Sequence, residues 1–481
     1  MPGVVSLVRR GRKWWLPVLA AILCAGVAGF FVLRPLWPTV GPTPEEERQS
    51  HKTSTEHGQL QGDEQRPVAS EGSAPEPGPA RETAIEDLKR EATEVADQLM
   101  RDFPDNPDAI SVMAMVHHRF GDTAGVVKCL ERCLQVDPHF TDAYYGMASV
   151  ALKTGDYEKA AALSRRALEI DSTLLGAAEQ LADALMGLGK FEEAVAVLEN
   201  DAKVLPKTAG MLSRLGAAYH SLEEYEKAKE NHQAAIELDP ALADAYYGLA
   251  KACAKLGQRD ESSVYLQKYK ELADHDRKTR IEGARTSGDL VLVRQAVADV
   301  YTAAGQVYRK HGNVPNAEGH WLKAARLASG DTVCRNALVS LYRQMNRTAE
   351  TLQILGQLAE IEPENATYQM QIGGLNARLD QFDAAERAFR KVSELAPKRP
   401  EGYLALARLH LESNRKLLEA MDLARTAVEL APTPANYVLL SAACKRNGDH
   451  AGAVSAIQRA IELDPSNEQY RRIQESLREK P

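Results

Sequence analysis

The segment Ala-Tyr-Tyr-Gly-Met-Ala at residues 143–148 returns as Ala-Tyr-Tyr-Gly-Leu-Ala at residues 245–250, which is 102 residues, or three periods of 34, later. Dipeptides ending in proline recur on the same period as Asp137-Pro138, Leu205-Pro206, Asp239-Pro240, Glu362-Pro363, Ala396-Pro397 and Asp464-Pro465. A unit of this length holds two helices but cannot bury its apolar face alone, so the copies must stack on one another. The sequence therefore predicts an all-α solenoid, and the long surface of a solenoid points to binding rather than to catalysis.

Composition and motifs exclude several classes of protein. The formal net charge is −8 over 481 residues, so no global basic field favours a nucleic-acid partner. There is no nucleophile elbow, phosphate loop or H-E-x-x-H motif, and no C-x-x-C pair among the six cysteines. We therefore expect no enzyme, no catalytic residue, no cofactor and no metal site. Cys129 and Cys133 lie four residues apart. They are either packed thiols or a redox pair.

The N-terminal region has the pattern of a membrane anchor. Basic residues within 1–13 precede an apolar run from Trp14 to Leu33, and Trp37 lies just beyond it. A run of this length matches the about 30 Å hydrocarbon core of a bilayer as a helix. Because the basic cluster precedes the span, we expect a single-pass protein with a cytoplasmic N-terminus and an extracytoplasmic array, periplasmic or luminal.

One alternative to this anchor stays open, and so does one further property of it. A cleaved signal peptide is the competing interpretation, although its apolar region would normally be shorter than this one. Ala21, Ala25 and Gly29 form a row of small residues that could let two spans meet, so a homodimer is also open.

The remaining sequence divides into segments of different character. Residues 38–80 are rich in proline and glutamate and poor in apolar residues, which predicts a disordered linker. The predicted organisation, in chain order, is a cytoplasmic basic segment at 1–13, a transmembrane signal anchor at 14–37, the linker at 38–80, an N-terminal capping helix at 81–104, repeat units 1–5 at 105–274, an inter-array linker or extended helix at 275–297, repeat units 6–10 at 298–465 and a C-terminal capping helix at 466–481.

The residues within each period resemble the tetratricopeptide repeat. The fourth unit contains Leu212, Leu215-Gly216, Tyr219, Ala228, His232, Ala235 and Pro240 at the positions that define that repeat. The sixth unit contains Tyr301, Ala304-Gly305, Tyr308, Gly312, Ala317, Trp321 and Ala324 there. The resemblance implies a right-handed superhelical solenoid of about ten helix-turn-helix repeats, preceded here by one transmembrane helix and a disordered linker.

The resemblance also implies a concave groove lined by the first helix of each repeat. Tyr145 and Tyr247 occupy position 5 of their repeats, where an exposed tyrosine would anchor a peptide. An inter-repeat contact is the alternative for both. Position 13 is basic in six units, at Arg119, Lys153, Lys255, Lys310, Arg378 and Arg446. These residues either form a basic rail for an acidic peptide or complement the dipole of the helix that they end.

The predicted function is a membrane-anchored protein-interaction scaffold whose groove binds peptide or helical segments of partners during assembly of an envelope or secretion complex. The carboxylate clamp found in some members of this family is absent, because its Lys and Asn positions hold Ser111 and Met115 in the first unit. The alternative function is a non-catalytic accessory subunit that positions a separately encoded enzyme for glycan or cofactor maturation.

Overall fold

The structure, a computed structural model, describes residues 79–286 and 288–478. The predicted anchor at 14–37 lies outside these residues, as does the predicted linker apart from its last two positions. Among the helices of the described part, none combines the length and apolar character that crossing a bilayer requires. The described residues form 22 α-helices and no strand.

Twelve helices follow one another from the start of the described chain. They are α1 (Pro79–Asp102), α2 (Pro107–Arg119), α3 (Thr123–Val136), α4 (Thr141–Lys153), α5 (Tyr157–Ile170), α6 (Ala177–Gly187), α7 (Phe191–Val204), α8 (Ala209–Ser221), α9 (Tyr225–Leu238), α10 (Ala243–Lys255), α11 (Arg259–Thr286) and α12 (Gly288–Lys310).

Ten further helices complete the array. They are α13 (Val314–Leu327), α14 (Val333–Gln344), α15 (Thr348–Ile361), α16 (Ala366–Arg378), α17 (Phe382–Leu395), α18 (Glu401–Glu412), α19 (Leu417–Leu430), α20 (Pro434–Arg446), α21 (His450–Leu463) and α22 (Glu468–Arg478).

The chain divides into two compact units between Ala304 and Gly305. The division falls inside α12, beyond the segment 275–297 that the sequence suggested as the join. That segment belongs to two long helices, because α11 continues to Thr286 and α12 begins at Gly288.

Helix pairs form because small residues let the two helices of a repeat approach closely. Ala160, Ala194 and Ala228 occupy the same repeat position and are all fully buried in the first unit. Together with the larger buried side chains Leu185 and Leu198, they belong to one continuous apolar cluster that spans several repeats. Burying this surface supplies the main driving force for stacking.

One residue in the turn within each repeat adopts the left-handed backbone conformation. Position 15 has a positive φ in every repeat, at Gly121, Gly155, Gly189, Glu223, Gly257, Gly312, Asn346, Asp380, Asn414 and Gly448. A left-handed residue after the last turn of a helix satisfies carbonyls that would otherwise lack partners. Six of these residues are glycines, which adopt that conformation without steric cost.

In several repeats the second helix begins at a residue whose side chain caps it. The carboxylates of Asp122, Asp156 and Asp449 each accept a hydrogen bond from the backbone N–H three residues further along, at 2.8–3.1 Å. Such a cap satisfies one of the N–H groups that a helix N-terminus leaves without an intrahelical partner.

In the first unit, residues far apart in sequence meet. The hydroxyl of Tyr301 in α12 donates to Glu91 Oε1 in α1 at 2.6 Å. Arg119 at the end of α2 forms an ion pair with Asp299, with 2.6 Å between Nη2 and Oδ2. The first part of α12 therefore contacts the start of the same unit.

Candidate partner-binding groove

A cavity of about 410 Å³ opens on the first unit between α6, α8 and α10. These are the first helices of three successive repeats, and their facing sides form the cavity wall. The residues that give it its chemistry are Asp183, Arg214, His220, His232, Tyr247 and Lys251.

Tyr247 presents its side chain to this cavity. It is 45% exposed, and its ring lies 5.1 Å from the ring of Tyr269 on α11. The Nζ atom of Lys251 lies 5.4 Å from the centre of the Tyr247 ring. An exposed ring held by a second ring and a cation is a stiff, amphipathic surface of the kind that anchors a bound peptide.

Tyr145 has a different environment, although its local sequence is nearly the same. It is 2% exposed, and it packs so closely on Gly176 that a Cβ there would lie 2.9 Å from the tyrosine hydroxyl. Gln180 of α6 donates to the carbonyl of Tyr145 at 3.4 Å. Tyr145 therefore makes the inter-repeat contact that was the alternative for both tyrosines.

The segment after each tyrosine explains the difference. Gly176 has φ +81 and directly precedes α6, so the loop before that helix closes over Tyr145. The chain after Tyr247 follows a different course, because α11 runs to Thr286 and the next first helix begins at Gly288.

The six basic residues at position 13 are divided between the two compact units. Arg119, Lys153 and Lys255 lie in the first unit, and the other three lie in the second. Each lies in the last turn of its helix: Arg119, Lys153, Lys255, Lys310, Arg378 and Arg446. That position suits a favourable interaction with the helix dipole.

Several of these basic side chains have other contacts. Arg119 is paired with Asp299, and Arg446 Nη1 donates to Asn414 Oδ1 at 3.1 Å. Lys255 does not line the cavity, but its charge contributes to lowering the pKa of His220, which does. Whether any of the six binds a partner stays a prediction.

The cations of the groove differ in how they are neutralised. Arg214 bridges two carboxylates, with Nη1 2.7 Å from Glu179 Oε2 and Nε 2.8 Å from Asp183 Oδ1. Lys251 and Lys255 are exposed, and neither forms an ion pair with any carboxylate in the described part of the chain. Arg214 is thus held within the wall, whereas the two lysines are available to a ligand.

Two histidines complete the wall. Burial lowers the pKa of His220, with Lys251 and Lys255 adding to the effect, and its Nε2 atom is buried without a hydrogen-bond partner. His232 is 2% exposed with neither ring nitrogen bonded, and burial lowers its pKa to about 4. Both rings are therefore neutral at pH 7.

The sequence interpretation did not select His220, Lys251 or His232 as site residues. His220 and Lys251 occupy positions 12 and 9, which the resemblance places on the groove, so their register could have revealed them. His232 occupies the aromatic position 24, filled in other repeats by Trp321 and Phe389, and nothing in the sequence marks it as a groove residue.

The five cysteines of the described residues lie in the core or at its edge. Cys133, Cys253, Cys334 and Cys444 are buried and Cys129 is partly buried, all as free thiols. Burial raises the pKa of Cys133 to about 12, so its thiolate, the reactive form, is scarce at neutral pH.

Comparisons with known families match the repeats directly. Families described as tetratricopeptide repeats match residues 179–229 and 375–436, residues 216–257, and residues 243–276 and 435–467. The family described as "Anaphase-promoting complex, cyclosome, subunit 3" matches residues 123–201. The chain therefore contains tetratricopeptide repeats, as its sequence pattern indicated. A comparison with curated proteins gives no match.

Solved structures give similarities to parts of the chain. A MamA crystal structure is 23% identical over 34% of this chain and 95% of its own, with a TM-score of 0.31. MamA from Desulfovibrio magneticus RS-1 is 21% identical over 35% of this chain and 96% of its own, with a TM-score of 0.33. YrrB, titled "a TPR protein with an unusual peptide-binding site", is 19% identical over 43% of this chain and 96% of its own, with a TM-score of 0.27.

Proposed function

We propose that this array of tetratricopeptide repeats is a protein-interaction scaffold that binds an extended or helical segment of a partner in the groove of α6, α8 and α10. The observation that carries the proposal is the open cavity of about 410 Å³ beside the half-exposed ring of Tyr247. Binding surfaces of solenoids lie on such faces, and aromatic side chains in concave sites contribute much of the affinity.

The chemistry of the wall favours a segment with an acidic and an apolar side chain. A carboxylate beside Lys251 and Lys255 would meet two cations that have no acidic partner in the described residues. An aromatic or aliphatic side chain would pack on Tyr247 and Tyr269, whose rings lie 5.1 Å apart. Arg214 pairs with both Asp183 and Glu179, so its single positive charge offsets one of their two negative charges.

We further propose that the segment at 14–37 anchors the scaffold in a membrane and that residues 38–80 tether the array on the extracytoplasmic side. The sequence alone supports this part, through the basic cluster, the apolar run and the flanking tryptophans. In that location the scaffold would assist the assembly of an envelope or secretion complex.

Site-specific photocrosslinking in the producing cells tests the proposal for the groove. A photoreactive phenylalanine analogue at Tyr247 should attach to a discrete partner, and mass spectrometry should map the attachment to one segment with an acidic residue nearby. The matched control places the same analogue at Val264, which is 66% exposed on α11 and is not part of the cavity wall.

Equal crosslinking at both positions would contradict the groove as the binding site. Recovery of one stoichiometric enzyme would instead favour the accessory-subunit function. The membrane part is tested separately, by fractionation of the full chain and of a chain lacking residues 14–37.

A further inference from the structure

Three side chains of the second unit converge between two repeats. Glu386 belongs to α17, His410 to α18 and Glu419 to α19, and one ligand atom from each lies within 4.8 Å of the others. His410 is 2% exposed, and its Nε2 atom, 3.7 Å from Glu419 Oε2, has no hydrogen-bond partner.

The two carboxylates are held by cations through one oxygen each. Arg390 Nη2 donates to Glu386 Oε1 at 2.8 Å and to Glu419 Oε1 at 2.7 Å. Lys416 Nζ donates to the same Oε1 atom of Glu386 at 2.5 Å. The Oε2 atoms of both glutamates accept no hydrogen bond in the described part of the protein, so each carboxylate keeps one oxygen without a hydrogen-bond donor.

An equivalent position in another repeat shows what ordinarily occupies this place. Tyr342 lies at position 11 of its repeat, as His410 does, and its hydroxyl donates to Glu318 Oε1 at 2.9 Å. Arg347 Nη1 pairs with both oxygens of Glu318, at 2.9 Å each. Where the other repeat has a tyrosine hydroxyl as donor, His410 has instead a ring nitrogen that can coordinate a metal ion.

We propose that Glu386, His410 and Glu419 form a binding site for one divalent transition-metal ion of the zinc type. Imidazole and carboxylate are ligands that zinc accepts, and three protein ligands leave a fourth position for water. Bonds of about 2.1 Å in tetrahedral geometry place neighbouring ligand atoms about 3.4 Å apart. The observed 3.7 Å between His410 Nε2 and Glu419 Oε2 requires only a small movement.

The positive charges of Arg390 and Lys416 should affect the metal affinity of the site. The hydrogen bonds of Arg390 to both Oε1 atoms orient the two carboxylates, as partners behind metal ligands commonly do. The positive charges of Arg390 and Lys416 also repel a dication, since the two glutamates are already neutralised before it binds. Affinity should therefore rise when one of these charges is removed without disturbing the ligands.

Titration of the purified full chain with Co²⁺, followed by its visible absorption, tests the site, and calorimetry with Zn²⁺ gives the stoichiometry. The wild-type chain should bind one equivalent more than His410→Tyr. That variant installs the side chain that Tyr342 supplies at the equivalent position, so it should keep the melting temperature. Glu386→Gln should weaken binding at least tenfold, whereas the matched Glu318→Gln should leave it unchanged.

Lys416→Asn provides a second test that does not remove a ligand. Lys416 has φ +47, a conformation that asparagine tolerates well, so the turn should be kept while the charge is lost. Co²⁺ should then bind several-fold more tightly. Equal stoichiometry in the wild type and His410→Tyr, or unchanged or weaker affinity in Lys416→Asn, would overturn the proposed site.

Discussion

At the scale of single residues, the exposure of a side chain depends on what the next repeat places over it. Tyr145 and Tyr247 lie in almost identical six-residue segments, yet one is 2% exposed and the other 45% exposed. Gly176 lies against the first of them, and the second faces a cavity. The two tyrosines therefore form a natural pair for separating a binding role from a structural one.

Tyr247→Ala should weaken partner capture at least tenfold with almost no change in the melting temperature, because an exposed ring contributes little to folding. Tyr145→Ala should instead lower the free energy of unfolding by about 3–4 kcal/mol, as expected for truncating a buried aromatic side chain. Crosslinking yield and denaturant unfolding of both variants check this. A large stability loss in Tyr247→Ala would show that this residue is structural too.

The buried imidazole of His232 makes stability depend on pH. Its pKa is about 4 in the folded chain against 6.5 in the unfolded chain. The unfolded state therefore binds a proton first as the pH falls, and stability is lost from about pH 6.5 downward. The loss from this group between pH 7 and pH 5 should be about 2 kcal/mol.

His232→Phe should remove that contribution, because phenylalanine does not titrate and Phe389 packs on Gly373 in the corresponding place of another repeat. Denaturant unfolding of the wild type and the variant at pH 7 and pH 5 measures the difference. If the variant loses as much stability as the wild type on acidification, the acid sensitivity does not come from a neutral, buried His232.

At the scale of helices and turns, the period determines the backbone more firmly than the residue type does. Position 15 is left-handed in all ten repeats, including Glu223, Asn346, Asp380 and Asn414. In the six repeats that have glycine at this position, the left-handed conformation could be predicted from the residue itself. For the other four, only the register of the repeat indicates a conformation that the residue itself disfavours.

Glu223→Gly should accordingly stabilise the chain by about 1 kcal/mol, because glycine adopts φ +63 without a steric penalty. The reciprocal change Gly257→Glu, at the same position of the next repeat, should destabilise by a similar amount. Chemical denaturation of both variants at one pH provides the measurement. Destabilisation by Glu223→Gly would mean that the Glu223 side chain contributes more than its backbone strain costs.

At the scale of the whole molecule, the stability of stacked repeats is approximately a sum over neighbouring repeats. Tyr470, Ile473 and Leu477 of α22 pack with the apolar cluster that α18, α19, α20 and α21 form. Without them, that cluster would face water on one side.

Leu477→Ala should therefore destabilise the end of the second unit by about 2–4 kcal/mol. The effect should be local, so hydrogen exchange should accelerate in α20 and α21 and stay unchanged in α14 and α15. Glu475→Ala, at an exposed position of the same helix, is the control. Uniform acceleration across the unit would argue against additive stacking.

The sequence predicted the repeats because their pattern is local and repeated. It also placed Tyr247 at the groove through its register. It did not distinguish Tyr247 from Tyr145, because the distinction depends on Gly176 and on the length of α11, which lie outside the repeat pattern. His410 likewise replaces an ordinary core tyrosine, and its neighbours Glu386 and Glu419 come from two other helices, so their meeting requires the fold.

The contacts of α12 with the start of the first compact unit limit when that unit can complete its folding during synthesis. The hydrogen bond from Tyr301 to Glu91 spans 210 residues, and the ion pair of Asp299 with Arg119 spans 180. At about 5–20 residues per second, a ribosome needs about 10–40 s to make the intervening chain. These two contacts can form only after the first part of α12 has been made, so the first compact unit completes them late in its own synthesis.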